Sequence, residues 1–396
     1  MADYRYFDCD NHCYEPRDAF TRYLPEEFMD RAITTVRRAD GQEMVLAGTR
    51  ISTFNSEAGL CFETADRPGS LHQMLKDMAS GNPSEAYRQD PMQLEFVDRD
   101  ARLRLHDEQG IDRCVVYPGA LALSAEHWVD DTDALYANLS SFNRWFDEDW
   151  GFNFHDRIYA TAMLSLRDLD KAIALTDEII ARGAKVVMLP TGPAYGRGPA
   201  DPYFDPVWAR LAEAGVVVTL HVGPYWYFDA ISPAWGLDPD PGSWHMAAWQ
   251  WMNMYGERPV IDTISSLIFD NLFGRFPQLN VLIAEHGASW LPHTLSQMDK
   301  SRGMGRNGPW IGGQLTERPS AIFRRHVRVT PYPEDDVPGL IDELDGDDGI
   351  LVFGSDFPHP EGVARASDFA EPLQVLPEAT QRRIMRDNAA SIFDAA

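Results

Sequence analysis

Apolar residues in this chain fall in short, β-branched runs, and the runs end in polar residues suited to metal binding or proton transfer. Residues 4–12 read YRYFDCDNH, 216–221 VVVTLH, 281–286 VLIAEH and 350–356 ILVFGSD. Runs this short, separated by stretches of helical period, read as buried parallel strands. Four more fit the pattern, at 113–117, 158–164, 184–189 and 326–330. Between them the 3.6-residue period predicts helices near 92–105, 133–149, 169–182, 204–214, 261–276, 290–300, 337–344 and 378–393. Gly110, Gly183 and Gly215 stand where three of these should stop. Strand and helix alternate eight times without a linker, internal repeat or low-complexity stretch. The chain is therefore expected to form a single (β/α)8 barrel domain over residues 1–396.

Two stretches break the rhythm. Residues 17–90 are rich in Gly, Ser, Asn and charge, and are expected to form an irregular excursion with a few helical turns, over the barrel mouth or at a subunit contact. Residues 223–259 form a second insertion crowded with aromatic side chains: Tyr225, Trp226, Tyr227, Phe228, Trp235, Trp244, Trp249 and Trp251. The chain has 396 residues, well beyond the roughly 250 of a plain barrel, and these excursions take up the surplus.

Composition narrows the function. A net charge of -26 argues against nucleic acid and anionic membranes as partners and leaves a small-molecule substrate. No apolar stretch nears the roughly 20 residues of a spanning helix, and no secretory signal pattern opens the chain. Cys9, Cys13, Cys61 and Cys114 lack CxxC spacing and read as buried thiols in a reduced, cytoplasmic enzyme.

In a barrel, the carboxyl ends of the strands converge on one mouth. Asp10 and His12, two apart on an extended segment, leave the backbone on the same side. With His221 and Asp356 from other strand ends they offer two nitrogens and two oxygens, a set suited to one divalent ion such as Zn, Mn or Fe. The fourth strand ends in Met188-Leu189-Pro190, with Lys185 at its start, so no lysine stands where a bridging ligand for a second ion would be needed. His286 is expected at the same mouth as an acid/base; a further nitrogen ligand is the alternative. His359 reads as a supporting partner, a substrate contact or a loop staple, and Glu15-Pro16 as setting the turn after His12. Tyr225, Trp226 and Tyr227 could wall an aromatic pocket or simply pack the loop.

The segment Asp8-Cys9-Asp10-Asn11-His12-Cys13-Tyr14-Glu15-Pro16 resembles the D-x-D-x-H-x-x-E-P opening of the amidohydrolase-2 group, which includes the aminocarboxymuconate-semialdehyde decarboxylase-like enzymes. Asp205-Pro206-Val207-Trp208, Gly215, Leu220-His221, Glu285-His286-Gly287 and the run from Gly354 through Asp356-Phe357-Pro358-His359 to Gly362 resemble its later landmarks. The resemblance implies a metal-dependent barrel, usually oligomeric, here expected as a homodimer. It carries the family's ligands onto Asp10, His12, His221 and Asp356, and its mechanistic histidine onto His286. Asp10-x-His12 replaces the H-x-H of some members and is nearer the acidic-x-His pattern of aromatic-acid decarboxylases, some of which carry Mn.

The expected reaction is nonoxidative decarboxylation of a hydroxylated aromatic or unsaturated carboxylic acid, with His286 and Asp356 managing the proton. The alternative is hydrolysis of a small ester, lactone or amide by a metal-activated water. A barrel retained only for binding is a third reading, and it predicts missing ligands where this chain has a full set.

Overall fold

The computed structural model describes residues 4–394 apart from 40, 42, 54–61, 81–88, 120, 121, 123, 124, 224, 243 and 244; of residues 78, 128 and 225 it describes the backbone only. Cys61 and Trp244 therefore lie outside the described residues.

Parallel strands close into a (β/α)8 barrel. Tyr6–His12 pairs with Ile111–Tyr117, which pairs with Ile158–Ala160. The chain then steps across Thr161, whose N–H reaches the Val116 carbonyl at 2.9 Å. Ala162–Met163 begins the remaining ladder, through Val186–Met188, Val217–His221 and Val281–Ala284 to Val327–Val329. The eighth segment, 350–356, joins by single bridges rather than a full ladder. Val329 N–H donates to Ile350 O at 2.8 Å on one side, and on the other Cys9 N–H donates to Phe353 O at 2.8 Å. These strand interiors are apolar and buried because helices cover their outer faces.

Local signals explain the helices. Asp98, Asp131 and Asp168 each accept a backbone N–H in the first turn of helices Arg99–Gln109, Thr132–Asp149 and Leu169–Ala181. Gly110 ends the first with a left-handed φ of 75°.

The first excursion holds the expected few helical turns and adds a small sheet that was not expected. Ile33–Arg37, Glu43–Ala47 and Arg50–Ser52 form an antiparallel sheet. The β-branched run Ile33-Thr34-Thr35-Val36 and Gly41, at φ 91°, are ordinary hairpin chemistry that the surrounding charge obscures. A 3-10 helix, Glu26–Arg31, and an α-helix, Leu71–Ala79, are also present. Ile33 N–H donates to Asn138 Oδ1 at 2.9 Å, and both Arg17 terminal nitrogens meet Glu43 at 2.7 Å. The excursion also reaches the last strand's exit: Gly69 N–H donates to His359 O at 3.3 Å and Leu71 N–H to Pro360 O at 2.8 Å. In the second insertion, Tyr227, Phe228, Met246 and Met254 make a small core of their own, while Trp235 and Trp251 face solvent.

Candidate metal centre

Strand register sets the height of each polar group. His221 lies level with Ala284, so Glu285 and His286 stand one step higher at the mouth. Glu285 and Asp356 both adopt left-handed backbone, with φ of 54° and 52°. For residues with a side chain this conformation is costly, and it turns each carboxylate away from the direction an extended strand would give. Nearby glycines allow close packing beside them. A Cβ on Gly287 would lie 2.5 Å from the Tyr332 ring, and one on Gly354 would lie 2.7 Å from Asp10 Cβ.

His12 donates through Nδ1 to Pro118 O at 3.0 Å. His221 points its Nδ1 at Val222 O, 3.1 Å away. A carbonyl can only accept, so both Nδ1 atoms carry hydrogen, and each ring, when neutral, presents its lone pair at Nε2. Those two Nε2 atoms face each other at 3.1 Å. Around them stand Asp10 Oδ1 (3.4 Å from His12, 3.6 Å from His221), Glu285 Oε2 (3.7 and 3.1 Å) and Asp356 Oδ1 (3.4 Å from His12). Acceptors converging at these distances repel unless positive charge lies among them.

The surrounding carboxylates favour positive charge at this point, on a ring proton or on a bound cation. Burial pulls the His221 imidazole down, but Glu285 and Asp10 overcome it and hold the ring well above its usual range. Burial raises Asp10, and the neighbouring His12 and His221 rings more than reverse it. Glu285 is likewise driven below its ordinary range against its own burial, chiefly by His221. Asp356 goes the other way, raised by burial and by Glu285 and Glu361. The buried oxygens Asp10 Oδ1 and Asp356 Oδ2 have no hydrogen-bond partner among the described residues. A donor set of imidazole nitrogens and carboxylate oxygens with orphaned acceptors fits one divalent cation.

The expected ligands divide between two overlapping groups. Donor atoms of Asp10, His12, His221 and Glu285 lie within 4.8 Å of one another, as do those of His12, Glu285, Asp356 and His359. Glu285 is thus the group that reading the sequence left unassigned. Alternation along an extended strand would place it opposite His286, and nothing in the residue type announces its positive φ. His359 holds Asp356 Oδ1 at 2.9 Å through Nδ1, and its ring lies 4.1 Å from that of His12. His286 is buried with both ring nitrogens unpartnered. Burial, then His221, lower its pKa to about 4, so the ring is neutral near pH 7 and offers one donor and one acceptor.

Of the three aromatic positions, Tyr227 is buried and its hydroxyl donates to Asp262 Oδ2 at 3.0 Å. Trp226 is partly exposed and stands edge-on to Tyr227 at 5.1 Å. The Tyr225 side chain lies outside the described set. Cys9, Cys13 and Cys114 are buried and unpaired.

Three carboxylates and two histidine Nε2 atoms meeting at one barrel mouth define the class: a barrel enzyme scaffold with a candidate cation centre. The chain belongs to the amidohydrolase family, whose sequence model matches residues 91–395. It is similar over nearly its whole length to an amidohydrolase from Mycobacterium avium subsp. paratuberculosis K-10, with 32% identity, TM-score 0.86, and 99% of this chain and 98% of that one covered. The fold is also shared with 5-carboxyvanillate decarboxylase from Sphingomonas paucimobilis (16% identity, TM-score 0.62, covering 98% and 99%). A dihydroxybenzoic acid decarboxylase from Polaromonas sp. JS666, crystallised with manganese and 2-nitroresorcinol, matches at 15% identity and TM-score 0.62 over 99% and 97%. No curated protein matches the chain. Among the described residues, no helix is long and apolar enough to cross a membrane.

Proposed function

We propose that this chain is a metal-dependent, nonoxidative decarboxylase of a hydroxylated aromatic or unsaturated carboxylic acid. The observation that carries the reading is the facing pair of imidazole lone pairs, His12 and His221 at 3.1 Å, ringed by carboxylates and set beside an uncommitted His286. Asp10, His12 and His221, with Glu285 and Asp356 as the remaining oxygen donors, would hold one Mn or Zn ion. When bound, that ion supplies positive charge against the negative charge that builds on the substrate's oxygens.

The chain's own groups do the rest. Decarboxylation breaks the bond between ring and carboxylate carbon, leaves the electron pair on the ring carbon and requires one proton there as CO2 departs. His286, neutral and with both nitrogens free, accepts a substrate hydroxyl proton or returns one to that carbon. Asp356 shares the task through Oδ2, its other oxygen being fixed by His359. Burial of these groups excludes bulk water, so a side chain rather than solvent places the proton. Trp226 is the aromatic we assign to the substrate side, because Tyr227 is committed to Asp262. The decarboxylases that share the fold act on hydroxylated aromatic acids, as their names state, which supports this substrate class.

The test is to load the protein with Mn or Zn, supply a panel of hydroxybenzoates in heavy water, and measure CO2 together with deuterium on the ring. Release of CO2 with one deuterium at the vacated carbon is expected. Hydrolysis of an ester, lactone or amide with water oxygen in the product, and no CO2 from any acid, would overturn the reading.

A further inference from the structure

Glu285 reaches the metal centre because its backbone leaves the strand, and groups from the next loop hold it there. Strand Val281–Ala284 pairs in register with Val327–Val329, and Thr330 N–H continues the ladder to Ile283 O at 2.9 Å. One step on, the pairing changes partners. Glu285 N–H donates to the Thr330 hydroxyl, Oγ1, at 3.1 Å, and the Tyr332 hydroxyl donates to Glu285 O at 3.1 Å. Both backbone polar groups of this residue, at φ 54°, are thus taken by side chains of the loop after the next strand.

The rest of the turn is fastened as well. Asp335 Oδ2 accepts the Ala288 N–H at 2.8 Å and the Tyr332 N–H at 3.0 Å. Trp290 Nε1 donates to Gly287 O at 3.0 Å. Gly287, at φ 62°, lets the Tyr332 ring lie against the turn, since a Cβ there would fall 2.5 Å from that ring. An extended backbone would carry the Glu285 side chain away from the partner it meets here, His221 Nε2, 3.1 Å from Oε2. A left-handed residue with a side chain persists only where its surroundings over-determine it. Thr330 and Tyr332 act on Glu285 directly.

We propose that Tyr332 and Thr330 are positioning residues of the metal centre: their two hydroxyls lock Glu285 in its left-handed backbone and so set its carboxylate on the ion. This rests on the metal-centre reading above and adds the groups that tune it. Neither residue belongs to the donor set; each acts through Glu285. A ligand held in place before the ion arrives loses less freedom on binding, so removing a holding bond shows as lost affinity.

The probe is the Mn ion alone, titrated calorimetrically into the protein and into its Tyr332→Phe, Thr330→Val and Thr330→Ser variants, with thermal melts alongside. Tyr332→Phe keeps the ring on Gly287 and removes only the hydroxyl. It and Thr330→Val are expected to weaken Mn binding by about tenfold to a hundredfold, the usual cost of losing a group that orients a ligand. Thr330→Ser keeps the hydroxyl and is expected to bind as the parent does. A merely structural role would lower the melting temperature and leave the affinity of the folded molecules alone. In a Glu285→Gln background, which keeps a neutral oxygen and weaker binding, Tyr332→Phe is expected to add little further loss, because its target is already gone. Parent-like affinity in folded Tyr332→Phe, or its full loss repeated in that background, overturns the assignment and leaves the metal centre standing. Should Tyr332→Phe not fold, the Thr330 pair decides, and equal affinities of Thr330→Val and Thr330→Ser overturn the assignment. A parent that takes up no Mn overturns both the assignment and the metal centre.

Discussion

The wall of the barrel and its mouth are made from the same segments and obey opposite rules. In the wall, Val217, Val218, Leu282, Ile283, Val327 and Val329 are buried, in strands that pair in continuous register. A few residues further along, Glu285 and Asp356 take left-handed backbone, His286 has no hydrogen-bond partner, and Asp10 and Asp356 each keep an orphaned oxygen. The contrast teaches where each demand is met: well-packed ladders supply the stability that lets a strained, under-satisfied rim persist.

The comparison breaks most sharply if the rim proves to be structural. Replacing His221 by Ala is expected to abolish stoichiometric metal, read by elemental analysis. Activity should fall by more than about a hundredfold, the upper end of what losing a merely supporting contact costs a metal site, with the melting temperature little changed. A parent-like metal content would remove His221 from the centre. The converse change in the wall, Leu282→Ala, should cost about 2–5 kcal/mol in a denaturant titration, with turnover per folded molecule retained.

Gly354→Ala tests the seam between the two regions. Its new methyl would meet Asp10 Cβ at 2.7 Å and Thr330 Cγ2 at 2.8 Å, so an overpacking cost of about 1–3 kcal/mol is expected. Metal affinity should weaken at the same time, because Asp10 is the atom that must move. Stability lost without any change in metal affinity would show that the seam does not transmit to the rim.

The smallest effect concerns an unpartnered ring away from the mouth. His106, in the helix Arg99–Gln109, is buried with Nε2 unsatisfied, and burial, then the Arg102 charge, hold its pKa well below the usual range. The folded state keeps this ring neutral while the unfolded chain protonates it, so its contribution is intact above about pH 6.5 and is lost as pH falls below that value. His106→Gln should therefore lessen the loss of melting temperature between neutral and mildly acidic buffer. An identical acid slope in the variant would assign that loss to other groups.

Most of the wall was legible because burial on both faces forces β-branched runs that no other element needs. Val216-Val217-Val218 and Val281-Leu282-Ile283 announce themselves, and Gly110, Gly183 and Gly215 mark helix ends. The rim was legible only in part. Asp10, His12 and His221 follow from their place at strand ends, but Glu285 joins them through a positive φ that its residue type does not signal. The antiparallel sheet at 33–52 escaped because its β-branched run is short and embedded in charge. One buried brace was also silent: Arg102 donates to Asn11 Oδ1, to His12 O at 2.8 Å and to Glu95 O at 2.7 Å, yet as a sequence letter it is one arginine among many on a polar helix.

Asp8 ties the first strand to the last. Its carboxylate takes the Ser355 backbone N–H at 2.9 Å and the Ser355 hydroxyl at 2.6 Å, across 347 positions of chain. On the ribosome, therefore, Asp8 emerges early and waits for almost the entire polypeptide before its partner exists. A nascent chain stalled ahead of Ile350 should be readily cleaved by protease around the first strand, and one released just past Ser355 should resist, placing ring closure among the final acts of synthesis.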